Sequence, residues 1–192
     1  MAYTTIDKST DHFSTVLYTG TGGTQSITGV GHQTDFIWVK ARDGATNYYH
    51  YLQDTVRGTQ KILYTNGSDA EQTITAGINT VGSDGWTTGS QGALNDSGDN
   101  FVAWNWKGGT TSGLSGGTIT PSAYSYNATS GFGIYKYTGN STAGASIAHG
   151  LGKVPKMIIV KRLDTAPNWQ IYHEGMGNGK WLEFTTGAQQ TG

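Results

Sequence analysis

The two longest apolar runs of the chain are short, and each ends in charged residues. "FIWVKARD" covers residues 36–43, and "MIIVKRLD" covers residues 157–164. A continuous apolar run of this length, rich in β-branched residues and bounded by turn residues, is typical of a strand that is central in a sandwich or buried on both faces. We therefore predict that both runs are strands, either buried on both faces or central in a sandwich.

Other segments alternate apolar and polar residues, which is the pattern of strands with one buried face. They are residues 14–20, 48–54, 100–107 and 132–139. No segment has a 3.6-residue apolar stripe with caps at both ends, so the pattern predicts an all-β protein, an antiparallel β-sandwich or jelly-roll-like fold. In the third segment the predicted faces are Val102, Trp104 and Trp106 on one side and Phe101, Ala103 and Asn105 on the other.

The two apolar runs belong to an internal repeat. The segment that begins at Phe13 matches the segment that begins at Phe132, with an offset that drifts only from 119 to 121 residues. The matches keep their order and include Tyr, Lys, Asp and Asn, which argues against chance similarity of Gly- and Thr-rich segments. Matched pairs include Tyr18 with Tyr137, Ile27 with Ile147, Lys40 with Lys161, Asp43 with Asp164, Asn47 with Asn168, and Tyr51 with Tyr172.

The second copy is shorter than the first. Residues 81–109 of the first copy, which include "NFVAWNWK", have no counterpart in the second copy. We predict a first β-sandwich repeat over residues 1–117 and a second, incomplete repeat over residues 118–192. Either the full gene product is longer than this chain or the second copy is a half unit. We favour the first option, because losing several strands exposes a sheet edge and half a core.

Composition excludes several classes of partner and site. The formal net charge is −1 and only 13% of residues are charged, so no broad basic surface is available for a phosphate backbone and nucleic acid is not an expected partner. The chain has no cysteine, which excludes disulfides and thiolate chemistry. No apolar run approaches the roughly 20 residues that span a bilayer. The N-terminal sequence does not resemble a signal peptide, so we expect synthesis in a cytoplasm and no membrane insertion.

Catalytic patterns are weak. A glycosidase needs two acids on either side of the scissile bond. The chain contains only three glutamates, Glu71, Glu174 and Glu183, and the last two align with no acid in the first copy. Its histidines lack HxH or HExxH spacing. We predict no enzyme activity, no catalytic residue, no cofactor and no metal site.

The segment "NDSGDN", residues 95–100, has two interpretations. Asp96 and Asp99 could supply the hard oxygen ligands that calcium prefers. Asx and Gly residues also form ordinary tight turns before a strand. We favour the turn.

A glycan-binding loop is the remaining candidate site. Sugars stack on flat exposed rings flanked by Asn and Asp, and both copies place such residues directly after the strongest strand. The same pattern fits an aromatic anchor that opens the next strand. The candidate residues are Asp43, Asn47 and Tyr48 in the first copy and Asp164, Asn168 and Trp169 in the second.

Several motifs of the chain resemble a known family. They are "YTG" at residues 137–139, "HGLG" at 149–152, "MIIVK" at 157–161 and "YH" at 172–173, with "SGD" and "FVAWNW" over residues 97–106 of the first copy. Together they resemble a repeat of tail and virion structural proteins of marine bacteriophages, over nearly the whole chain. The first copy departs from this pattern, because His32-Gln33-Thr34 stands where the second copy has its glycine-rich turn.

The resemblance implies a lectin-like or laminin-G-like sandwich and a structural role in a virion, as a tail fibre, an appendage or a capsid-surface fibre. It implies no catalytic residues. The implied partners are other virion proteins and further copies of the chain, with a host-surface glycan as a further contact. The implied location is the virion, after assembly in the host bacterial cytoplasm. The alternative function is a carbohydrate-binding module without catalysis.

Overall fold

The computed structural model describes residues 6–44 and 46–191. The fold is all-β, and its strands pair antiparallel. The strands of the first half are β1 (Phe13–Thr19), β2 (Gln25–Thr28), β3 (Phe36–Ala41), β4 (Tyr51–Asp54), β5 (Gly58–Tyr64), β6 (Gln72–Thr73), β7 (Ile78–Gly82), β8 (Gly85–Thr88) and β9 (Asn100–Trp106). Those of the second half are β10 (Ala123–Asn127), β11 (Phe132–Lys136), β12 (Met157–Val160), β13 (Gln170–His173), β14 (Lys180–Glu183) and β15 (Gln189–Thr191). The helical elements are one short helix, α1 (Gly92–Asn95), and 3-10 turns at Ser9–Asp11 and Glu174–Met176.

The first half forms two sheets. A six-stranded sheet has the order β1-β9-β3-β4-β5-β6, and a three-stranded sheet has the order β2-β8-β7. The closing strand β9 lies between β1 and β3 and pairs with both along its length. Two antiparallel sheets packed on a shared core form the predicted sandwich, so the sequence-based fold class is confirmed.

The core of this sandwich follows from the alternation along β3 and β9. Ile37 and Val39 of β3 and Phe101 and Ala103 of β9 are buried on the face toward the smaller sheet. Each large apolar side chain buried in this way contributes about 1.5–3 kcal/mol. The faces predicted for β9 agree with its burial, since alternate residues are buried and half-buried. The partners across the core are Ile27, Ile78, Trp86, Ala93 and Leu94.

The opposite face of the six-stranded sheet is aromatic and packs against the second half. The ring centroids of Trp38 and Trp104 lie 5.5 Å apart on neighbouring strands. Phe184 of the second half lies 6.1 Å from Trp38, and Phe132 lies 5.7 Å from Phe36. Trp38 therefore packs between the two halves. Its counterpart in the repeat is the aliphatic residue Ile159, which agrees with a packing role.

The second half forms two separate sheets instead of a sandwich. β10 pairs with β11, and β12 to β15 form a four-stranded sheet in sequence order. In the repeat, β11 corresponds to β1 and β12 corresponds to β3. β9 joins those two strands in the first half, and no strand in the described part of the second half takes its place. β12 therefore lies at the edge of its sheet.

The prediction that "MIIVKRLD" is buried on both faces or central in a sandwich is wrong. The residues of β12 are between 38% and 50% exposed, whereas alternate residues of β3 are buried. The two strands have similar sequences, so the difference arises from their neighbours. β3 has β9 on one edge and the smaller sheet over one face, and β12 has neither in the described residues.

The segment between the halves bonds to both of them. The backbone N–H of Gly108 donates to Asp35 in the first half, with an N–O distance of 2.8 Å. Thr110 forms a bridge with Tyr126 of β10, and Ile119 forms a bridge with Ile147. The boundary at residues 117 and 118 stays a prediction.

Candidate functional site

Asp43 holds a turn in place. It follows β3, and its carboxylate accepts hydrogen bonds from the backbone N–H of Asn100 at 2.7 Å and from the Asn100 side-chain amide at 2.8 Å. These two bonds lower the pKa of Asp43 below its usual value. The contact ties the end of β3 to the start of β9, so the candidate glycan residue has an evident structural role.

Asn47 and Tyr48 lie in the loop before β4. Asn47 is exposed. The Tyr48 hydroxyl donates to Asp96 at 2.7 Å, and this bond to an acidic group raises the pKa of Tyr48. The Tyr48 ring packs against the core of the first half. The next ring, Tyr49, is the exposed one, at 51%.

In the second half, Asp164 and Asn168 bond to different partners. Asp164 forms an exposed ion pair with Arg162, with oxygen–nitrogen distances of 2.6 and 3.0 Å, and Arg162 lowers the pKa of the carboxyl. Asn168 donates to Glu183 at 2.8 Å and accepts from Thr185 at 2.9 Å. Asp164 and Asn168 therefore have separate partners and do not form one site.

Trp169, the aromatic candidate of the second copy, is buried between the two halves. Its side chain is only 4% exposed and packs with Leu52 and Leu63 of the first half. The indole N–H lies 2.9 Å from the carbonyl oxygen of Tyr64 and 3.1 Å from that of Gly67. A ring buried between the two halves cannot stack on a sugar. The alternative interpretation, an aromatic anchor before a strand, describes its position.

The segment "NDSGDN" forms the turn between α1 and β9. Asn95 Oδ1 accepts from the backbone N–H of Thr21 at 2.7 Å, and Gly98 donates to the carbonyl of Gly20 at 3.0 Å. Asp96 is bonded to Tyr48 and to the backbone N–H of Ser97. Within residues 6–44 and 46–191, no three His, Asp or Glu side chains are grouped closely enough to hold a metal ion.

A buried ion network was missed by the sequence analysis. Arg57 donates to Asp54 at 2.6 Å and to Glu71 at 3.2 Å, and its side chain and that of Asp54 are buried. A third bond, at 3.2 Å, joins Arg57 to the carbonyl of Leu52. The Asp-x-x-Arg spacing at the turn between β4 and β5 was the available indication. The network closes that turn and is a structural feature of the first half.

The edge strand β12 carries an exposed apolar surface. Its four residues, Met157 to Val160, are apolar and exposed, and β13 is the one strand that pairs with it in the described residues. Lys156 precedes β12 and pairs with Glu174, and Lys161 follows it. An apolar strand with an unpaired edge is a template for a further strand.

The fold defines an all-β, sandwich-like protein. The chain belongs to the family described as a domain of unknown function (DUF7483), which it matches over residues 8–192. No curated protein and no solved structure matches the chain. None of the helices in the described residues has the length and apolar character needed to cross a membrane.

Proposed function

We propose that the chain is a structural protein of a bacteriophage virion, a component of a tail fibre, a tail appendage or a capsid-surface fibre. It acts by assembly with other virion proteins and with further copies of itself, and it contacts the host surface. It performs no catalysis. It is made in the host bacterial cytoplasm and resides in the virion.

The observation that carries this proposal is the exposed apolar strand β12. An apolar strand with a free edge favours association with another polypeptide, because pairing satisfies its backbone groups and removes apolar surface from water. The resemblance of "HGLG", "MIIVK" and "FVAWNW" to virion proteins adds the biological setting.

The direct test is the copy number of the chain in purified virions. Particles are purified on a density gradient from a lysate of bacteria that produce the chain during infection. Quantitative mass spectrometry then compares the chain with the major capsid protein, and a host ribosomal protein reports carry-over. The proposal expects a fixed number of copies per particle. Absence from particles while the chain is present in the lysate would contradict it.

A carbohydrate-binding module is the second candidate, and Tyr49 is the observation that favours it. The Tyr49 ring is 51% exposed and stacks on Tyr64, with centroids 4.5 Å apart and an interplanar angle of 28°. The stacking orients the Tyr49 ring, and Asn47 in the same loop is exposed. On a glycan array, the chain is expected to bind, Tyr49→Ala to abolish binding, and Tyr137→Ala, which changes another exposed ring, to leave it unchanged. No binding to any glycan would remove this candidate.

A further inference from the structure

The exposed ring of Tyr49 rests on a support that is itself fixed. One face of the ring stacks on Tyr64, which is buried. The Tyr64 hydroxyl donates to Gln72 at 3.3 Å and lies 3.5 Å from the hydroxyl of Tyr51. Tyr49 therefore offers a flat apolar surface whose orientation is set before any ligand binds, and such a surface loses little conformational entropy on binding.

The turn after β5 brings a carboxylate to the edge of this ring. Gly67 lies between the two groups, because a Cβ on it would come within 3.6 Å of Tyr49 Cε1 and 2.9 Å of Asp69 Oδ2. Asp69 is exposed, and its carboxylate accepts no hydrogen bond from the described residues. An ionised carboxylate is a pure acceptor, so Asp69 presents acceptor oxygens to a ligand that lies on the ring.

The second half supplies a cation beside the same turn. The backbone N–H of Glu71 donates to the carbonyl oxygen of Leu163 at 2.8 Å, and Asp69 and Lys161 each lie two residues earlier in these segments. Burial lowers the pKa of Lys161, and the negative charges of Asp69 and Asp164 act against that shift. The Lys161 ammonium donates to two backbone carbonyls of its own loop, which leaves one of its three N–H groups for a ligand.

Trp169 fixes the turn relative to the second half. Its buried indole N–H lies within hydrogen-bond distance of the carbonyl oxygens of Tyr64 and Gly67. Tyr64 is the residue beneath the Tyr49 ring, and Gly67 is the residue between that ring and Asp69. The ring, the carboxylate and the ammonium are therefore held by one set of contacts between the two halves.

We propose that these groups form one binding site for a neutral pyranose unit of a glycan, which stacks on Tyr49, donates hydroxyl hydrogens to Asp69 and accepts from Lys161. This inference rests on the carbohydrate-binding candidate and names its ligand class and the residues that select it. A pyranose matches the site because it presents C–H groups on its face and hydroxyls at its rim, and a hydroxyl both donates and accepts. A flat apolar surface with a few placed polar groups is typical of small-ligand sites.

The charges of the site favour a neutral ligand over a charged one. Asp69 repels a uronate or sulfate group, and Lys161 repels an ammonium group. The neighbouring charges, Arg162 and Asp164, form an ion pair with each other, so they add no net attraction for either kind of ligand. A neutral hydroxylated ligand satisfies Asp69 and Lys161 together, through charge-assisted hydrogen bonds that are roughly twice as strong as bonds between neutral groups.

The test exposes the full chain to an array of immobilised neutral, uronate-containing and glucosamine-containing oligosaccharides. A concentration series of the labelled chain gives an apparent affinity for each glycan. We expect saturable binding, with the best neutral glycan bound at least about five-fold more tightly than any glycan of either charged class. Tyr49→Ala is expected to abolish this binding.

Two variants remove the charges of the site one at a time. Asp69→Asn keeps an acceptor oxygen but loses the charge, so we expect the affinity for neutral glycans to fall at least about ten-fold and the discrimination against uronates to disappear. Lys161→Gln is expected to weaken neutral binding and to remove the discrimination against glucosamine. A purely structural effect lowers affinity without changing this preference between charge classes.

Each variant has a matched control at an exposed residue outside the site. Asp7→Asn and Lys153→Gln make the same chemical changes, and we expect both to keep the affinity for neutral glycans within about two-fold of the parent value. Circular dichroism confirms that all four variants are folded.

Tighter binding of a charged class by the parent chain would overturn the inference. So would neutral binding that is lost in Tyr49→Ala but keeps the parent affinity and preference in Asp69→Asn and Lys161→Gln; that result leaves the carbohydrate-binding candidate standing. Absence of binding to every glycan would remove the candidate and the inference together. The virion proposal is judged separately, because copy number is measured on particles and glycan binding is measured on the purified chain.

Discussion

At the scale of single residues, buried polar groups hold the turns of the first half. Arg57 is the clearest example, because its guanidinium bonds to Asp54, Glu71 and the carbonyl of Leu52. Removing one partner of a buried ion pair leaves the other charges without compensation. The same residue type on the surface, Arg162 beside Asp164, contributes far less because water solvates both groups.

We therefore expect Arg57→Leu to lower the free energy of unfolding by about 3–5 kcal/mol. Arg162→Leu is the matched control and is expected to change it by about 0–1 kcal/mol. Urea unfolding followed by tryptophan fluorescence measures both. Equal effects of the two substitutions would show that the Arg57 network does not stabilise the fold.

The hydrogen bonds of Asp84 indicate that the free energy of unfolding depends on pH. Its carboxylate accepts from the backbone N–H groups of Gly31 at 2.6 Å and Gly29 at 3.1 Å. Both glycines have positive φ, 85° and 81°, which lets the loop turn its N–H groups toward one carboxylate. These bonds lower the pKa of Asp84 below 3.8. Because the pKa of Asp84 is lower in the folded state than in the unfolded state, its contribution to the free energy of unfolding is complete above the unfolded-state pKa. That contribution is lost as the pH falls through the folded-state pKa.

Asp84→Asn is therefore expected to be less stable than the parent chain at pH 7, and the difference is expected to shrink as the pH falls below 3.8. Urea unfolding from pH 7 to pH 2 measures the difference in unfolding free energy. Asp7→Asn, at an exposed residue, is the control and is expected to leave the unfolding free energy at pH 7 unchanged. A difference for Asp84→Asn that is constant with pH would contradict the role of its carboxylate.

At the scale of elements, a comparison of β3 with β12 separates the effect of the local sequence from the effect of the neighbouring strands. The apolar run and its β-branched residues predicted a strand at both places, and both strands form. Burial differs, because it depends on β9, a strand about 60 residues away in sequence from β3. The pattern of β9 itself was predictable, since the alternation over Phe101 to Trp106 is local.

Equivalent substitutions in the two strands test this difference. Val39 is 1% exposed and Val160 is 38% exposed. Val39→Ala removes two buried methyl groups and leaves a cavity, so we expect a loss of about 2 kcal/mol in unfolding free energy. Val160→Ala is expected to change it by less than about 0.5 kcal/mol. A similar loss of unfolding free energy at both positions, measured by chemical denaturation, would indicate that other residues of the protein bury β12.

At the scale of the whole molecule, the second half packs on the aromatic outer face of the first. The sequence revealed the duplication and the rings, but it did not indicate that Trp169 packs against Leu52 and Leu63. Such a contact joins residues more than 100 positions apart and depends on how two complete units dock, so strand periodicity carries no information on it. The burial of Trp169, a glycan candidate, was not predictable for this reason.

Trp169→Ala tests the docking of the two halves. It removes a buried ring and the N–H that bonds to the carbonyls of Tyr64 and Gly67, so we expect the free energy of unfolding to fall by about 3–5 kcal/mol. Tyr137→Ala, at a ring that is 40% exposed, is the control and is expected to cost less than about 1 kcal/mol. Equal small effects in urea unfolding would argue against a stabilising interface.

Within the described residues, the second half has no counterpart of β9, and β12 has one unpaired edge. Residue-resolved hydrogen exchange of the isolated chain tests this most directly, because β3 and β12 are compared in one sample. We expect the β12 amides that face the free edge to exchange at least about 100-fold faster than the amides of β3, since edge amides exchange without opening of the core. Equal protection of Phe36–Ala41 and Met157–Val160 would contradict it.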